Sequence, residues 1–257
     1  MKMERIIFYI DINSAYLSFE AVYRLQHGVK IDLREIPSAV AGSQATRHEI
    51  ILAKSSPTKK YGVKTGEAIW EAKKKCPHIT LVPPNYALYI CCHRAFVELL
   101  KQYSDKVQVF SIDECFLDMT GMDIMGEPIE VAYSIKERIK KELGFTVSIG
   151  ISTNKLLAKM GSELKKPNAI TTLFPSEVPE KMWPLPIEEL YMVGRATAPK
   201  MRKLGIETIG DLARFDLDLL KHTFKSWGVM LWNYANGIEE SEVAYGSSGH
   251  SIIKGVG

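Results

Sequence analysis

The sequence predicts an α+β protein: a mixed sheet with helices, a small α/β insertion after the first strand, and a helical C-terminal module. Three observations predict it. Over residues 5–151 the elements run strand, helix, hairpin, helix, strand, the order of a ferredoxin-like split βαβ sheet. Residues 30–82 interrupt that order with short strand-like pieces punctuated by glycine. Beyond about Pro175, prolines at 179, 184 and 186 mark a further boundary, followed by short helices.

Each element has its own warrant. Residues 5–12 form an apolar run that reads as a buried strand, and residues 13–23 repeat apolar side chains at helical spacing, so a helix starts just beyond Asp11. In the insertion, residues 39–41 and 50–53 are strand-like, and Gly62 and Gly66 flank a lysine-rich turn. Pro83 and Pro84 close it. Over residues 86–103, Ala87, Ile90, Cys91, Phe96, Leu99 and Leu100 recur at steps that predict a packed helix. Residues 107–112 and 115–119 are too close for a crossover, so they pair as an antiparallel hairpin with Asp113 and Glu114 at its turn. A helix over about 128–143 ends at Gly144, and a strand over 146–151 follows. Ser152, Thr153 and Asn154 offer N-caps for a helix to Leu164, terminated by Lys165-Lys166-Pro167-Asn168. In the helical module Trp183, Trp227 and Trp232 read as core. From Ser241 the chain reads as a linker, with residues 250–257 opening an element that the sequence does not finish.

Composition narrows the function classes. At 257 residues, two or three modules are expected; 46% hydrophobic and 25% charged residues are ordinary for a globular protein and exclude wholesale disorder. No apolar run approaches the roughly 18 residues of a membrane span, and the N-terminus leads straight into a strand, so a cytoplasmic protein without membrane partners is expected. Cys76, Cys91, Cys92 and Cys115 lack zinc-ligand or disulfide spacing and read as buried thiols. The net charge of +3 is too small to announce nucleic-acid binding. Lysines do cluster at 54, 59, 60, 64 and 73–75, and again at 155, 159, 165 and 166; for either cluster alone, a solvated helix face is the favoured explanation.

The acids carry the chemistry. Asp11, Asp113 and Glu114 place carboxylates at the tips of strands, where burial is costly unless a cation or substrate offsets the desolvation. If the two strands lie side by side, three carboxylates meet as oxygen ligands suited to Mg²⁺, the chemistry of phosphoryl transfer. Capping of the adjacent helix and hairpin turn is the rival reading. Asp118 shares the strand face of Glu114 by alternation and stands as a structural or supporting carboxylate.

Residues 8–16 (FYIDINSAY), 110–118 (FSIDECFLD) and 148–159 (SIGISTNKLLAK), with Lys166-Pro167-Asn168, resemble the signatures of Y-family DNA polymerases, the translesion enzymes of the UmuC type. The resemblance is collinear over about residues 5–240. It implies a ferredoxin-like palm (1–14 and 83–173), small α/β fingers (15–82), a helix-hairpin-helix thumb (174–240), and a linker opening a little finger domain (241–257) that is otherwise missing. It further implies a template-directed DNA polymerase acting in lesion bypass, DNA repair and the SOS response.

By the same resemblance, Asp11 and Asp113 would bridge two Mg²⁺ ions, Glu114 would hold the ion that activates the primer 3′-hydroxyl, and the Ile12 carbonyl would complete one shell. Tyr16 stands where the family carries a steric gate against ribose, although spacing alone reads it as a core aromatic. Lys166 matches a phosphate-contacting lysine. Lys59 and Ser56 replace an arginine and a tyrosine usual in the phosphate clamp, and a lysine supplies a point charge rather than a fork. Val193, Gly194, Arg195, Thr197 and Lys200 lie in a hairpin that would present N–H groups to a DNA phosphate, with Met192 in place of its first glycine. The same segment also reads as a packing module that touches no DNA. Expected partners are primer-template DNA and deoxynucleoside triphosphates, with a sliding clamp or recombinase engaged through parts not present here. A catalytically weak or non-catalytic DNA-binding homologue is the rival of a different class, and a template-independent nucleotidyl cyclase is a third.

Overall fold

The structure, a computed structural model, describes residues 4–42, 50–122 and 126–244. The element expected over 250–257 lies outside the described residues, as does most of the linker. In chain order the elements are β1 (Ile7–Ile12), α1 (Ala15–Gln26), β2 (Ser38–Ala41), β3 (Ile51–Lys54), α2 (Ser56–Lys59), α3 (Ile69–Lys75), β4 (Thr80–Val82), α4 (Tyr86–Leu100), β5 (Val107–Val109) and β6 (Glu114–Asp118). They continue with α5 (Pro128–Arg138), β7 (Val147–Ser152), α6 (Lys155–Glu163), β8 (Ile170–Thr172), α7 (Val178–Lys181), α8 (Ala198–Arg202), α9 (Ile209–Arg214) and α10 (Leu217–Ala235).

The main sheet has the order β5-β6-β1-β7-β8, with β1 central and antiparallel to both neighbours. This is the split βαβ arrangement that the element order predicts, extended by β8 in parallel on β7. All six residues of β1 are buried, which is why it reads as a continuous apolar run rather than an alternating one. A second sheet, β3-β2-β4, belongs to the insertion. The helical module packs its own core, which also takes Leu156, Leu157 and Met160 from α6.

Four local expectations are corrected. In α4 the buried stripe is Tyr89, His93, Phe96, Val97, Leu99 and Leu100, whereas Ala87, Ile90 and Cys91 face outward. Tyr89 and His93 take inner positions because their polar atoms find partners there: Tyr89 donates to Glu20 Oε1 at 2.9 Å and His93 Nδ1 to the Ile112 carbonyl at 2.8 Å. Cys91 is therefore exposed, while Cys76 and Cys115 are buried. β5 stops at Val109, because Ser111 turns back on Asp113 through side-chain hydrogen bonds that compete with the ladder. α5 ends at Arg138 and passes into a wider π turn, Ile139–Leu143, which left-handed Gly144 (φ 75°) closes as expected. Trp183 and Trp232 pack on the helical core, but Trp227 is 37% exposed.

Gly150 sets the distance between β7 and α6. A Cβ there would lie 1.8 Å from the Ala158 carbonyl oxygen and 2.6 Å from the Ser162 nitrogen, so only glycine lets the helix lie directly on the strand. Both of those atoms belong to backbone and cannot rotate away. Gly150→Ala is expected to cost at least about 2 kcal/mol of stability, seen as a melting temperature lower by roughly 5 °C; an unchanged melting curve would show that α6 retreats freely.

Candidate active site

The two central strands bring the acids together. Asp11 and Glu114 are direct partners across the antiparallel β1–β6 pair, so their side chains leave the same face of the sheet. Asp113 precedes Glu114 in the turn, and its carbonyl accepts the Ile12 N–H at 3.0 Å, tying the end of β1 to that turn. Ser111 Oγ donates to Asp113 Oδ1 at 2.5 Å and fixes this carboxylate in place. His93 holds the same loop from below through the Ile112 carbonyl.

Two lysines answer the acids, both delivered by α6 and its C-terminal turn. Lys166 Nζ donates to Asp11 Oδ2 at 2.5 Å and to Glu163 Oε1 at 2.6 Å. Lys159 Nζ donates to Glu114 Oε1 at 2.9 Å and also bonds the Tyr9 hydroxyl. The rings of Tyr9, Phe110 and Tyr191 surround it at 4.3, 4.9 and 5.7 Å. Sequence reasoning gave Lys159 no role. Its signals were its place within SIGISTNKLLAK and in the second lysine cluster, and neither gave its role, because its partners Tyr9 and Glu114 lie far away in sequence.

Burial and the two lysines pull the acids in opposite directions. Burial pushes Asp11 up to about 6, with the Lys166 ammonium working against it and the charges of Asp113 and Glu114 adding to the rise. Burial also raises Asp113, with the Ser111 hydrogen bond opposing and the Glu114 charge adding. Glu114 is lowered on balance: burial works upward, but Lys159 and the hydrogen bonds around it outweigh it. As the side chains lie, no three acids, histidines or cysteines among the described residues close on one point that could hold a metal ion. The donor set still fits hard divalent cations: three carboxylates share a buried strand end, and two of them stay hard to ionise even with lysines alongside.

A cavity of about 510 Å³ opens beside the acids, lined among others by Asp11, Asp113, Tyr16, Lys54, Lys59 and Lys166. A second, of about 270 Å³, shares Asp11, Ser14, Lys59 and Lys166 with it and adds Asn13, Arg34, Ser55 and Ser56. Tyr16 stands in the first turn of α1, its ring stacked on Tyr89 at 4.6 Å and 12°. Ser56 and Lys59 are the first and last residues of α2, whose N-cap is Ser55. Arg34 and Asn13 were missed in the sequence because neither lies in a recognisable phosphate-binding pattern. Asp118 points elsewhere, pairing with Lys106 at 3.5 Å.

The hairpin residues lie in the helical module, away from these cavities. Val193 is buried and its N–H is taken by the Leu190 carbonyl, so it offers a partner only its own carbonyl. Among the described residues the N–H groups of Gly194, Arg195 and Ala196 have no backbone acceptor, and the Thr197 N–H bonds back to Gly194. Met192 holds a left-handed backbone (φ 74°), the conformation that the replaced glycine would adopt without strain. Arg195 and Lys200 are exposed beside it.

Sheet, acids and hairpin together define a class of mixed α+β core with a helical hairpin module, and comparison with known proteins gives the family. Residues 10–163 match the impB/mucB/samB family and residues 175–206 match the IMS family HHH motif. The chain belongs to the impB/mucB/samB family. It is 51% identical over 243 residues to DNA polymerase IV of Clostridium acetobutylicum, covering 94% of this chain and 61% of that protein. It is 43% identical over 239 residues to DNA polymerase IV 1 of Bacillus subtilis, covering 93% and 56%. The chain thus spans about three-fifths of the length of the curated relatives it matches. Among solved structures it resembles DinB from Sulfolobus solfataricus (TM-score 0.81, 27% identity, 93% of this chain and 69% of that one) and a Dbh ternary complex (TM-score 0.79, 27% identity, 93% and 69%).

The Asp11 shift has a definite sign. The folded chain keeps this proton to about pH 6, whereas an unfolded aspartate releases it near about 3.9. Between those values the folded state binds more protons, so this group's contribution to stability falls as pH rises. In metal-free protein, Asp11→Asn should gain on the parent as pH goes from 4 to 7, by up to roughly 3 kcal/mol, read from urea unfolding. Parallel pH profiles for the two proteins would rule out this strained carboxylate.

Proposed function

We propose that this chain is the catalytic core of a template-directed DNA polymerase of the lesion-bypass class, adding deoxynucleotides to a primer 3′-hydroxyl with two Mg²⁺ ions. The observation that carries the reading is the direct opposition of Asp11 and Glu114, with Asp113 beside them, at the edge of a cavity lined by Tyr16 and cations. The names of the relatives point the same way. In the family-based division, the main sheet is the palm, the insertion the fingers and the helical module the thumb.

Asp11, Asp113, Glu114 and the Ile12 carbonyl would hold the metals. When bound, such ions stabilise the attacking and leaving oxygens of an in-line phosphoryl displacement. The remaining work is positioning. Lys59, Lys166 and Ser56, which line one cavity, would receive the triphosphate, whose charge calls for cations and hydrogen-bond donors. Tyr16 cannot swing aside easily, because Tyr89 backs its ring and is itself anchored to Glu20. A ribose 2′-hydroxyl would therefore meet a fixed wall. The hairpin N–H groups at 194–196, with Arg195 and Lys200, would take a backbone phosphate of the duplex without reading bases.

Ser56 and Lys59 favour a second reading, a catalytically weak DNA-binding homologue, since they leave the phosphate clamp with fewer donors than an arginine–tyrosine pair. Primer extension on undamaged and abasic templates with Mg²⁺ separates the two. The proposal expects additions dictated by the template; DNA binding without extension, by a protein carrying all its domains, would favour the second. In the same assay Tyr16→Ala should raise ribonucleotide over deoxynucleotide use by roughly tenfold or more, the removal of a clash worth about 1–3 kcal/mol. Unchanged sugar selectivity would strip Tyr16 of that role.

A further inference from the structure

Resting on the proposed metal-binding role of Asp11, and extending it, we propose that Lys166 is an exchangeable counter-ion: it occupies Asp11 in the absence of nucleotide, and an incoming triphosphate draws it away and frees Asp11 for a divalent cation. The two lysines at the site are held very differently. Lys159 is fixed by Glu114, the Tyr9 hydroxyl and three aromatic rings, with 13% of its side chain exposed. Lys166 lies beyond the end of α6, is 29% exposed, and among the described residues is held by two carboxylates, Asp11 and Glu163. Its four-carbon stem can pivot without disturbing the core.

The place to which it would pivot is already prepared. Lys166 lines both cavities, and the smaller one is also lined by Asn13, Lys59, Ser55 and Ser56, with Arg34 held there by Asp32 and the Gly144 carbonyl. Asn13 Oδ1 accepts from Ser148 Oγ at 2.9 Å, which orients the amide, and its Nδ2 is buried with no acceptor among the described residues. A buried donor without a partner is costly, and a phosphate oxygen would satisfy it. Triphosphate in this cavity would compete with Asp11 for Lys166. The two binding events are then coupled, and reciprocally so: nucleotide strengthens metal binding at Asp11 by the factor by which metal strengthens nucleotide binding.

Mn²⁺ titration of the chain, followed by electron paramagnetic resonance without nucleotide or DNA, tests this directly. Lys166→Met and Lys166→Gln should each bind Mn²⁺ at least about tenfold more tightly than the parent, the equivalent of about 1.4 kcal/mol. Lys165→Met, which removes a neighbouring charge that has no bond to Asp11, should stay within about twofold, a bound set by screening of exposed charge. Adding Asp11→Asn to Lys166→Met should abolish the gain. Equal affinity in parent and Lys166 variants, or an equal gain from Lys165→Met, overturns the exchange while leaving the metal site standing. Mn²⁺ binding indifferent to Asp11→Asn overturns the metal site as well.

Discussion

Two carboxylates, one buried and one half-buried, stand face to face across the central pair of strands, and most of the surrounding structure answers that one electrostatic demand. Side chains at directly opposed positions have Cβ atoms roughly 5 Å apart, where like charges repel by roughly 3 kcal/mol at an effective dielectric constant near 20. Asp11 and Glu114 occupy such positions, with Asp113 adjoining. α6 supplies the immediate answer in Lys159, and the turn after it supplies Lys166. Gly150 lets that helix lie against β7 closely enough to deliver them. Burial still makes Asp11 and Asp113 hold their protons more tightly than ordinary aspartates, even with the lysines alongside. A site that retains such strain is organised for a ligand rather than for stability.

The second organising feature is a layer of polar aromatics beneath the cavity. Tyr16 rests on Tyr89, Tyr89 is anchored by Glu20, and Arg24 lies 3.7 Å from the same carboxylate. One turn further along α4, His93 grips the loop that presents Asp113. One helix therefore backs both Tyr16 and the loop that carries Asp113. In the proposed function, substrate shape and metal geometry would share that mechanical base.

Much of this was legible in the sequence. The element order gave the sheet topology, because a hairpin too short for a crossover and a buried first strand leave few other arrangements. Asp11, Asp113 and Glu114 could be paired because strand-tip acids have few innocuous explanations. What escaped has a common physical cause. Tyr89 and His93 were passed over on α4 in favour of Ile90 and Cys91, since apolar periodicity cannot see a polar side chain whose partner is distant in sequence. Lys159, Arg34 and Asn13 escaped for the same reason: each acquires its meaning from a neighbour that only the folded chain brings near. The hairpin was visible as a motif, but the loss of the Val193 N–H to Leu190 was not.

The central claim is that Asp11, Asp113 and Glu114 jointly bind divalent cations beside a deoxynucleoside triphosphate. Anomalous diffraction from crystals grown with Mn²⁺, primer-template and an unreactive triphosphate would measure it most directly. The account predicts two Mn²⁺ peaks roughly 3.5–4 Å apart, bounded by these three carboxylates, with Lys166 on phosphate. Peaks located elsewhere, or Lys166 still on Asp11 with the triphosphate in place, would contradict it.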